Sequence, residues 1–161
     1  MKLIRSSEET VILNVAEGEQ LMFAEVLKLY PVVPAAYQPL SRSMKDKSSG
    51  EEQDLLDEAL SEQRETLRHQ VHKWLRTRNR FRPVKAGFNF TLRRTDAEWL
   101  LQVLNDVRVG HWLLLGAPDD MLDGEEVKSL EPELHRAWLA MELSGMFQME
   151  ILHALERGTS Y

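Results

Sequence analysis

The sequence predicts an α+β fold that is mainly helical, with four main helices around a central buried helix and a small N-terminal β-hairpin. Long segments place apolar residues three and four positions apart, which is the spacing of one helix face. The N-terminal segment instead alternates apolar and polar side chains, which is typical of strands. At 161 residues the chain can bury roughly two-thirds of its unfolded surface, so we expect a single domain over residues 1–161.

The composition excludes several kinds of site and location. Hydrophobic residues make up 43% of the chain and charged residues 29%, which is ordinary for a soluble globular protein. The absence of cysteine excludes disulfides, thiol catalysis and thiolate metal sites. No targeting signal precedes the acidic residues near the N-terminus, and no apolar run is long enough to span a membrane. We therefore expect a cytoplasmic protein that does not contact a membrane.

The strands are predicted in two places. Lys2–Arg5 and Thr10–Val15 form a hairpin, since Val11, Leu13 and Val15 give one apolar face of period two. Two strands alone are marginally stable in water, so the hairpin must lie on helices or find a third strand. The alternating residues Phe88, Phe90 and Leu92 make that third strand plausible.

Two helices follow the hairpin. Glu17–Tyr30 is the first, and Pro31 ends it because proline cannot continue a helix. Residues 31–50 contain three prolines and a polar tail, which predicts a loop inside the domain. The second helix runs from Glu51 to about Arg78, acidic in its first turns and basic in its last, an order that suits the helix dipole.

The central helix is Thr95–Gly116. Thr95 and Glu98 have the spacing of a capping box, while Gly116 supplies a left-handed stop that is followed by Pro118. Its apolar residues, Trp112 and Leu114 among them, extend nearly all round, which predicts that other elements pack on most of its sides.

An acidic connector, residues 119–129, leads to the last helix. This helix begins at Glu131 or Pro132 and ends near Arg157, because proline is favoured at the first helical position. A stripe of residues at helical spacing is predicted to face inward: Leu134, Trp138, Met141, Gly145 and Leu152.

Charge is strongly segregated along the chain. Arg64–Arg94 holds ten Lys or Arg residues and one acid, net +9, whereas the remainder holds ten basic and 25 acidic residues, net −15. Such a segment can bind an acidic partner, or two faces of one fold can neutralise each other. The candidate binding residues are Arg76, Arg78, Arg80, Arg82 and Lys85. Because Phe81, Phe88 and Phe90 lie among or after them, single-stranded nucleic acid is a second possible partner, unless these rings anchor the segment to the core.

The central helix also carries four polar residues, Asn105, Asp106, Arg108 and His111. His111 falls on the apolar side, which predicts a hydrogen-bonded core histidine. Asp106 and Arg108 are two residues apart and point in different directions, so each needs an opposite charge elsewhere if buried. The basic segment could partner Asp106 and the acid-rich last helix could partner Arg108. The alternative is a polar pocket of a small metal- or ligand-dependent enzyme.

No catalytic residue, metal site or cofactor is predicted. Glu150 and His153 have a metal-ligand spacing, but they lie away from the predicted inner stripe and lack the second copy that a di-iron site needs. Glu65, His69 and His72 share a helix face, but the cationic neighbours Arg68 and Lys73 would repel a metal ion. There is also no phosphate-binding glycine loop and no Gly-x-Ser-x-Gly elbow.

Trp99-Leu100 followed by residues 104–108, Leu-Asn-Asp-Val-Arg, resembles the core motif of a bacterial domain-of-unknown-function family, the one numbered twenty-seventeen. The order of predicted elements is similar to that family across most of the chain. The resemblance implies a cytoplasmic bacterial protein without an established activity. Genes of this family often lie near the adaptor of the ATP-dependent Clp protease, which implies a link to proteolysis by neighbourhood alone.

These observations predict a non-enzymatic interaction or regulatory module that uses Arg76–Lys85 against an acidic protein partner. Binding of single-stranded nucleic acid through the same segment is the first alternative. An enzyme centred on Asp106, Arg108 and His111 is the second.

Overall fold

The computed structural model describes residues 1–32, 50–77, 80–118 and 122–157, without the side chains at 50–54, 56 and 57. The predicted loop over residues 33–49 and the candidate residue Arg78 lie outside this description. The elements in chain order are β1 (Lys2–Ser6), β2 (Thr10–Val15), α1 (Glu17–Lys28), α2 (Gly50–Leu75), β3 (Phe81–Val84), β4 (Gly87–Arg93), α3 (Arg94–Leu114), α4 (Gly124–Ser129) and α5 (Pro132–Glu156). The fold is therefore α+β and mainly helical, as predicted.

The strands form one antiparallel four-stranded sheet in the order β1-β2-β4-β3. The hairpin is confirmed, and the third strand predicted around Phe90 is β4, which pairs with β2. β3 was not predicted, and its residues were interpreted only as part of the basic segment. This strand is short, sits at an edge and contains Pro83, so it lacks an alternating pattern strong enough to predict it.

Alternation along the strands gives the sheet two different faces. The inward face carries the fully buried residues Val11, Val15, Phe90 and Leu92 and the almost fully buried Leu13. Phe23 of α1 lies against this face and makes ring contacts with Trp74, Phe81, Phe90 and Phe147. One aromatic cluster thus joins the sheet to α1, α2 and α5.

The start of α3 differs from the prediction. The residue at its N-cap is Arg93, whose side chain makes no capping hydrogen bond, so the capping box of Thr95 and Glu98 is wrong. In its place, Asp96 in the first turn accepts two hydrogen bonds from Arg93. An acid in the first turn of a helix is favoured by the helix dipole. The predicted cap, Thr95, lies two residues after the true N-cap and so already belongs to this first turn.

The predicted stop of α3 at Gly116 is confirmed. Gly116 has φ +86°, and its N–H donates to the Leu113 carbonyl at 3.0 Å. The N–H of Ala117 donates to the Trp112 carbonyl at 3.0 Å, which completes a Schellman motif. The chain turns sharply here and returns beside the last turns of α3.

The packing of α3 is closest against α5, and α3 also contacts α1, α2 and β4. Leu100, Val103, Leu104 and Val107 are fully buried. The last turns are different, because Trp112 and Leu114 are exposed. These two side chains leave apolar surface at the end of α3, and Trp112 lies beside residues of α5.

The predicted inner stripe of α5 is wrong. The buried face consists of small and medium side chains at helical spacing: Ala137, Ala140, Ser144, Phe147, Ile151 and Ala154. Leu134 and Leu152 are exposed instead. The bulkiest apolar residues were assigned inward, but small residues allow two helices to approach closely, so they form the buried face here.

The acidic connector also differs, since it contains the short helix α4. Asp123 caps α4 by accepting from the backbone N–H groups of Glu125 and Glu126, both at 2.8 Å. The Glu126 carboxylate accepts from the Asp123 N–H in return, which is a capping box.

Candidate binding surfaces

Arg80 does not belong to the surface. Its side chain is 12% exposed, and Nη1 donates to Asp96 Oδ2 at 3.3 Å. The guanidinium carbon also lies 4.6 Å from the centroid of the Trp74 ring, a cation–π geometry. Arg80 therefore bonds within the fold, where Asp96 balances its charge, and its role as a binding residue stays a prediction.

Asp96 is the carboxylate that pairs with both Arg80 and Arg93, and the sequence did not predict this role. Besides Arg80, it accepts from Arg93 Nε at 3.0 Å and from Arg93 Nη2 at 3.1 Å. Burial alone would raise the pKa of Asp96, but the Arg93 hydrogen bonds and the Arg93 and Arg80 charges hold that pKa below its ordinary value. An acid three residues after Arg93 was a visible signal for this ion pair.

Arg94 is also used within the fold. Its Nε donates to the Ser7 carbonyl at 2.9 Å, and Nη2 donates to the Ser6 hydroxyl at 3.1 Å. Its Nη1 reaches the Leu155 carbonyl at 3.3 Å, so one guanidinium ties the β1–β2 turn to the end of α5. Part of the predicted charge segregation is thus internal neutralisation and bonding, one of the two interpretations left open by the sequence.

The remaining candidates are at the surface. Arg76, Arg82 and Lys85 are exposed, and none forms an ion pair with another residue in the described ranges. Arg82 lies on β3 opposite Asn89, and Lys85 is in the β3–β4 turn. Arg76 follows the end of α2.

The outward face of the sheet extends this basic surface across all four strands. Register places Lys2, Asn14, Asn89 and Arg82 in one transverse row, with a cation at each edge. Arg5 begins the next row, opposite Ile12. The four strands contain no Asp or Glu, although the whole chain has a net charge of −6. We call Lys2, Arg5, Arg82 and Lys85 the cationic face.

The middle of the row is held rigidly. Asn14 Nδ2 lies 3.1 Å from the Ala86 carbonyl and 3.3 Å from the Phe88 carbonyl, and it reaches Asn89 Oδ1 at 3.4 Å. The two amides therefore fix the β3–β4 turn relative to β2. Three strand spacings of about 4.8 Å separate the cations at the two edges by roughly 14 Å.

The aromatic rings of this region point away from the cationic face. Phe81 and Phe90 stack on each other in the core, with centroids 5.1 Å apart and an interplanar angle of 21°. Phe88 packs against the same core. These rings are core anchors, so they offer no stacking platform for the bases of a single strand.

The four polar residues of α3 do not converge on one pocket. Asp106 is half-buried beside the segment that follows α1, with the Val32 amide nitrogen 3.5 Å from its Oδ1. Burial raises the pKa of Asp106, while the Val32 amide and the Arg64 charge partly oppose this shift. Burial and the nearby Asp106 charge also raise the pKa of Tyr30 to about 12. Asp106 therefore accepts a hydrogen bond from the segment that follows α1, at the point where this segment packs against α3.

The other three polar residues lie elsewhere. His111 is buried, and its Nδ1 lies 2.7 Å from the Val107 carbonyl, as expected for a hydrogen-bonded core histidine. Arg108 is exposed and donates from Nη2 to Asn105 Oδ1 at 3.2 Å. The prediction that Arg108 pairs with an acid of the last helix is not met among the salt bridges of the described residues.

Arg108 instead borders a groove of about 1040 Å³ between α3 and α5. Its walls are mainly apolar and rich in methionine; they include Val109, Trp112, Pro118, Leu122, Met141, Met146, Met149 and Leu152. Polar residues at the groove include Glu142, Glu150 and His153. The sequence did not predict this groove, and three of its residues, Met141, Gly145 and Leu152, were assigned to the inward side of the last helix.

Across the described part of the chain, no cluster of three His, Cys, Asp or Glu side chains could hold a metal ion. Glu65, His69 and His72 are all exposed on α2. Among these residues there is likewise no helix with the length and hydropathy needed to cross a bilayer.

Comparison of the chain with protein-family models, with curated proteins and with solved structures found no match in any of the three. The resemblance carried by residues 99–108 therefore stays a prediction.

Proposed function

We propose that this protein is a non-enzymatic interaction module that binds an acidic segment of a partner protein on its cationic face. The observation that carries this proposal is the row from Lys2 to Arg82, on a sheet whose strands lack any acid. On a chain of net charge −6, such a face creates a local positive potential that can steer and orient an acidic ligand.

The two sheet edges favour binding across the face over addition of a strand. β3 has Pro83 in its centre, and β1 has a bulge between Leu3 and Arg5. Both features protect an edge strand against pairing with another chain. The partner segment is therefore expected to cross the strands.

The spacing of the cations indicates what such a segment contains. An extended chain advances about 3.3 Å per residue, so roughly 14 Å corresponds to four residues. Two carboxylates at positions i and i+4 of an extended segment would reach Lys2 and Arg82 together. A helix would place the same two side chains only about 6 Å apart.

A cytoplasmic bacterial setting belongs to this proposal, supported by the absence of cysteine and by the resemblance at residues 99–108. The proposal also takes α3 as the central helix of the fold, which is supported by the contacts of α3 with α1, α2, α5 and β4. The enzyme alternative has less support, because Asp106, Arg108 and His111 point to three different surroundings.

The test measures the binding of a fluorescent extended peptide with glutamates at i and i+4 by anisotropy. Exposed ion pairs contribute about 0.2–1 kcal/mol each, so the double variant Lys2→Glu/Arg82→Glu, which reverses the charge at both ends of the row, should bind about tenfold more weakly than the wild type. Arg136→Glu/Arg157→Glu, at exposed positions on α5 and directly after it, changes the net charge by the same amount; it is the matched control and should retain affinity. Equal losses in both variants would contradict the proposal.

Single-stranded oligonucleotide is the competing ligand in the same assay. If it binds more tightly than the peptide, and log affinity falls against log salt with a slope of about −0.7 per phosphate contacted, the face belongs to nucleic acid instead. The inward orientation of Phe81 and Phe90 argues against that outcome.

A further inference from the structure

The outward side of α5 carries a second apolar stripe, independent of its buried face. Residues recur at spacings of four and three along it: Leu134, Trp138, Met141, Gly145, Met149 and Leu152. This is the pattern of a helix that packs against another helix. Yet Met149 is 59% exposed and Leu152 is 44% exposed, so the stripe lacks a full set of neighbours.

The groove beside this stripe is already shaped. Trp112 Nε1 donates to the Pro118 carbonyl at 3.1 Å, which fixes the indole as one wall. On the opposite wall, a Cβ added at Gly145 would lie 3.5 Å from Arg108 Cδ, so the Arg108 stem passes close over α5. A preformed apolar wall reduces the entropy lost when a partner helix docks.

The charges at the groove are of both signs. Arg108 borders it from α3, whereas Glu142 and Glu150 border it from α5. Within the described residues, these three side chains form no ion pair with one another. A surface that offers a cation and two anions beside an apolar centre can pair its charges with the opposite charges of a rotated copy of itself.

We propose that the occupant of this groove is the α5 stripe of a second copy of this chain, bound reciprocally about a two-fold axis. Each copy then supplies both a stripe and a groove, as an isologous interface requires. The helices α3 and α5 of two copies form a four-helix interface that covers Trp112, Met149 and Leu152. Arg108 of each copy meets the glutamates of the other.

Sedimentation velocity tests this proposal over about 1–100 µM, since a reversible dimer depends on concentration by mass action. The wild type is expected to pass from monomer to dimer. Met149→Glu should raise the dissociation constant at least about 100-fold, because a charge would replace an apolar side chain at the centre of the interface. Leu21→Glu is the matched control, since Leu21 is 57% exposed on α1 and outside the groove.

A wild type that stays monomeric at the highest concentration overturns the proposal. Equal effects of Met149→Glu and Leu21→Glu overturn it as well. Because both side chains are already exposed, far-ultraviolet circular dichroism should show that both variants keep the wild-type fold.

Charge exchange tests the reciprocal arrangement. Arg108→Glu should weaken the dimer, and adding Glu142→Arg and Glu150→Arg to the same chain should restore it. If the triple variant is as weak as Arg108→Glu alone, the two-fold arrangement is refuted. Peptide binding to the cationic face should be unaffected by these variants, so the two proposals fail or hold separately.

Discussion

Arg80 and Arg82 are neighbouring arginines with opposite surroundings, which permits a direct test of the structure. Arg80 is held by Asp96 and Trp74, whereas Arg82 is exposed on the outward face of β3. We expect Arg80→Ala to destabilise the fold and Arg82→Ala to leave its stability almost unchanged. The two substitutions remove identical atoms from positions two residues apart, so each is the control for the other.

The size of the effect follows from the interactions that the Arg80 guanidinium makes. A hydrogen bond to a charged group contributes about 1.5–3 kcal/mol, and a partly desolvated cation–π contact about 0.5–2 kcal/mol. Asp96 keeps its two bonds from Arg93 in the variant, so the destabilisation stays below that of a fully orphaned buried charge. We expect Arg80→Ala to lower the free energy of unfolding by about 2–3 kcal/mol and Arg82→Ala by less than about 0.5 kcal/mol.

Urea denaturation followed by tryptophan fluorescence measures both values, because Trp74 and Trp99 are buried near Asp96. The melting temperature should fall by roughly 5–10 °C for Arg80→Ala in a chain of this size. A double-mutant cycle of Arg80→Ala with Asp96→Ala should give a coupling energy of about 1 kcal/mol or more. If Arg80→Ala and Arg82→Ala differ by less than about 0.5 kcal/mol, the inward placement of Arg80 is wrong.

Three further substitutions test other contacts, each by urea denaturation. The pKa of Asp96 is lowered from its ordinary value of 3.8, so the ionised form of this carboxyl group stabilises the fold. Asp96→Asn should therefore lower the free energy of unfolding most above pH 3.8, and progressively less as the pH falls through the lowered pKa. The pKa of Asp106 is raised from its ordinary value of 3.8, so ionisation of this carboxyl group opposes folding. The stability of Asp106→Asn relative to the wild type should therefore increase as the pH rises above 3.8. A difference in stability that does not change with pH would contradict this. In Gly110→Ala the new Cβ would lie 2.6 Å from Val32 Cβ. The variant should lose about 1–2 kcal/mol although alanine is the better helix former, and a gain in stability would show that the Val32 segment is free to move.

Periodicity predicted most of the elements because their apolar patterns are strong and local. The alternation along β2 and β4 and the Gly116 stop of α3 each depend on a few neighbouring residues. β3 and α4 were missed because both are short: one is an edge strand with a proline, and the other is a single capped turn inside an acidic stretch.

The orientation of α5 could not be read from hydrophobicity. Two stripes at helical spacing compete on this helix, one of bulky residues and one that includes four small ones: Ala137, Ala140, Ser144 and Ala154. Only the positions of the facing elements decide which stripe is buried, and that information is spread over the whole chain. The same error helped to hide the groove, since Met141, Gly145 and Leu152 line it but were assigned inward.

The composition of the chain predicted the candidate basic segment, but it did not predict which of the basic side chains point outward. Counting charges identified Arg64–Arg94, but it could not separate Arg80 and Arg94, which bond within the fold, from Arg82, which faces outward. Adding Lys2 and Arg5 to the same surface requires the strand register, in which β2 pairs with β4 between residues 73 to 83 positions apart. A variant that reverses Arg80 together with surface arginines would therefore confuse loss of binding with loss of folding.

The small side chains on the buried face of α5 have a mechanical consequence. Ser144 is fully buried and its hydroxyl donates to the Ala140 carbonyl at 2.6 Å, so it adds little volume toward the interior. Such residues let α5 lie close to the core elements packed on this face. Enlarging Ala140 inside the core should therefore push α5 outward and alter the groove on its other side, which the substituted side chain does not line.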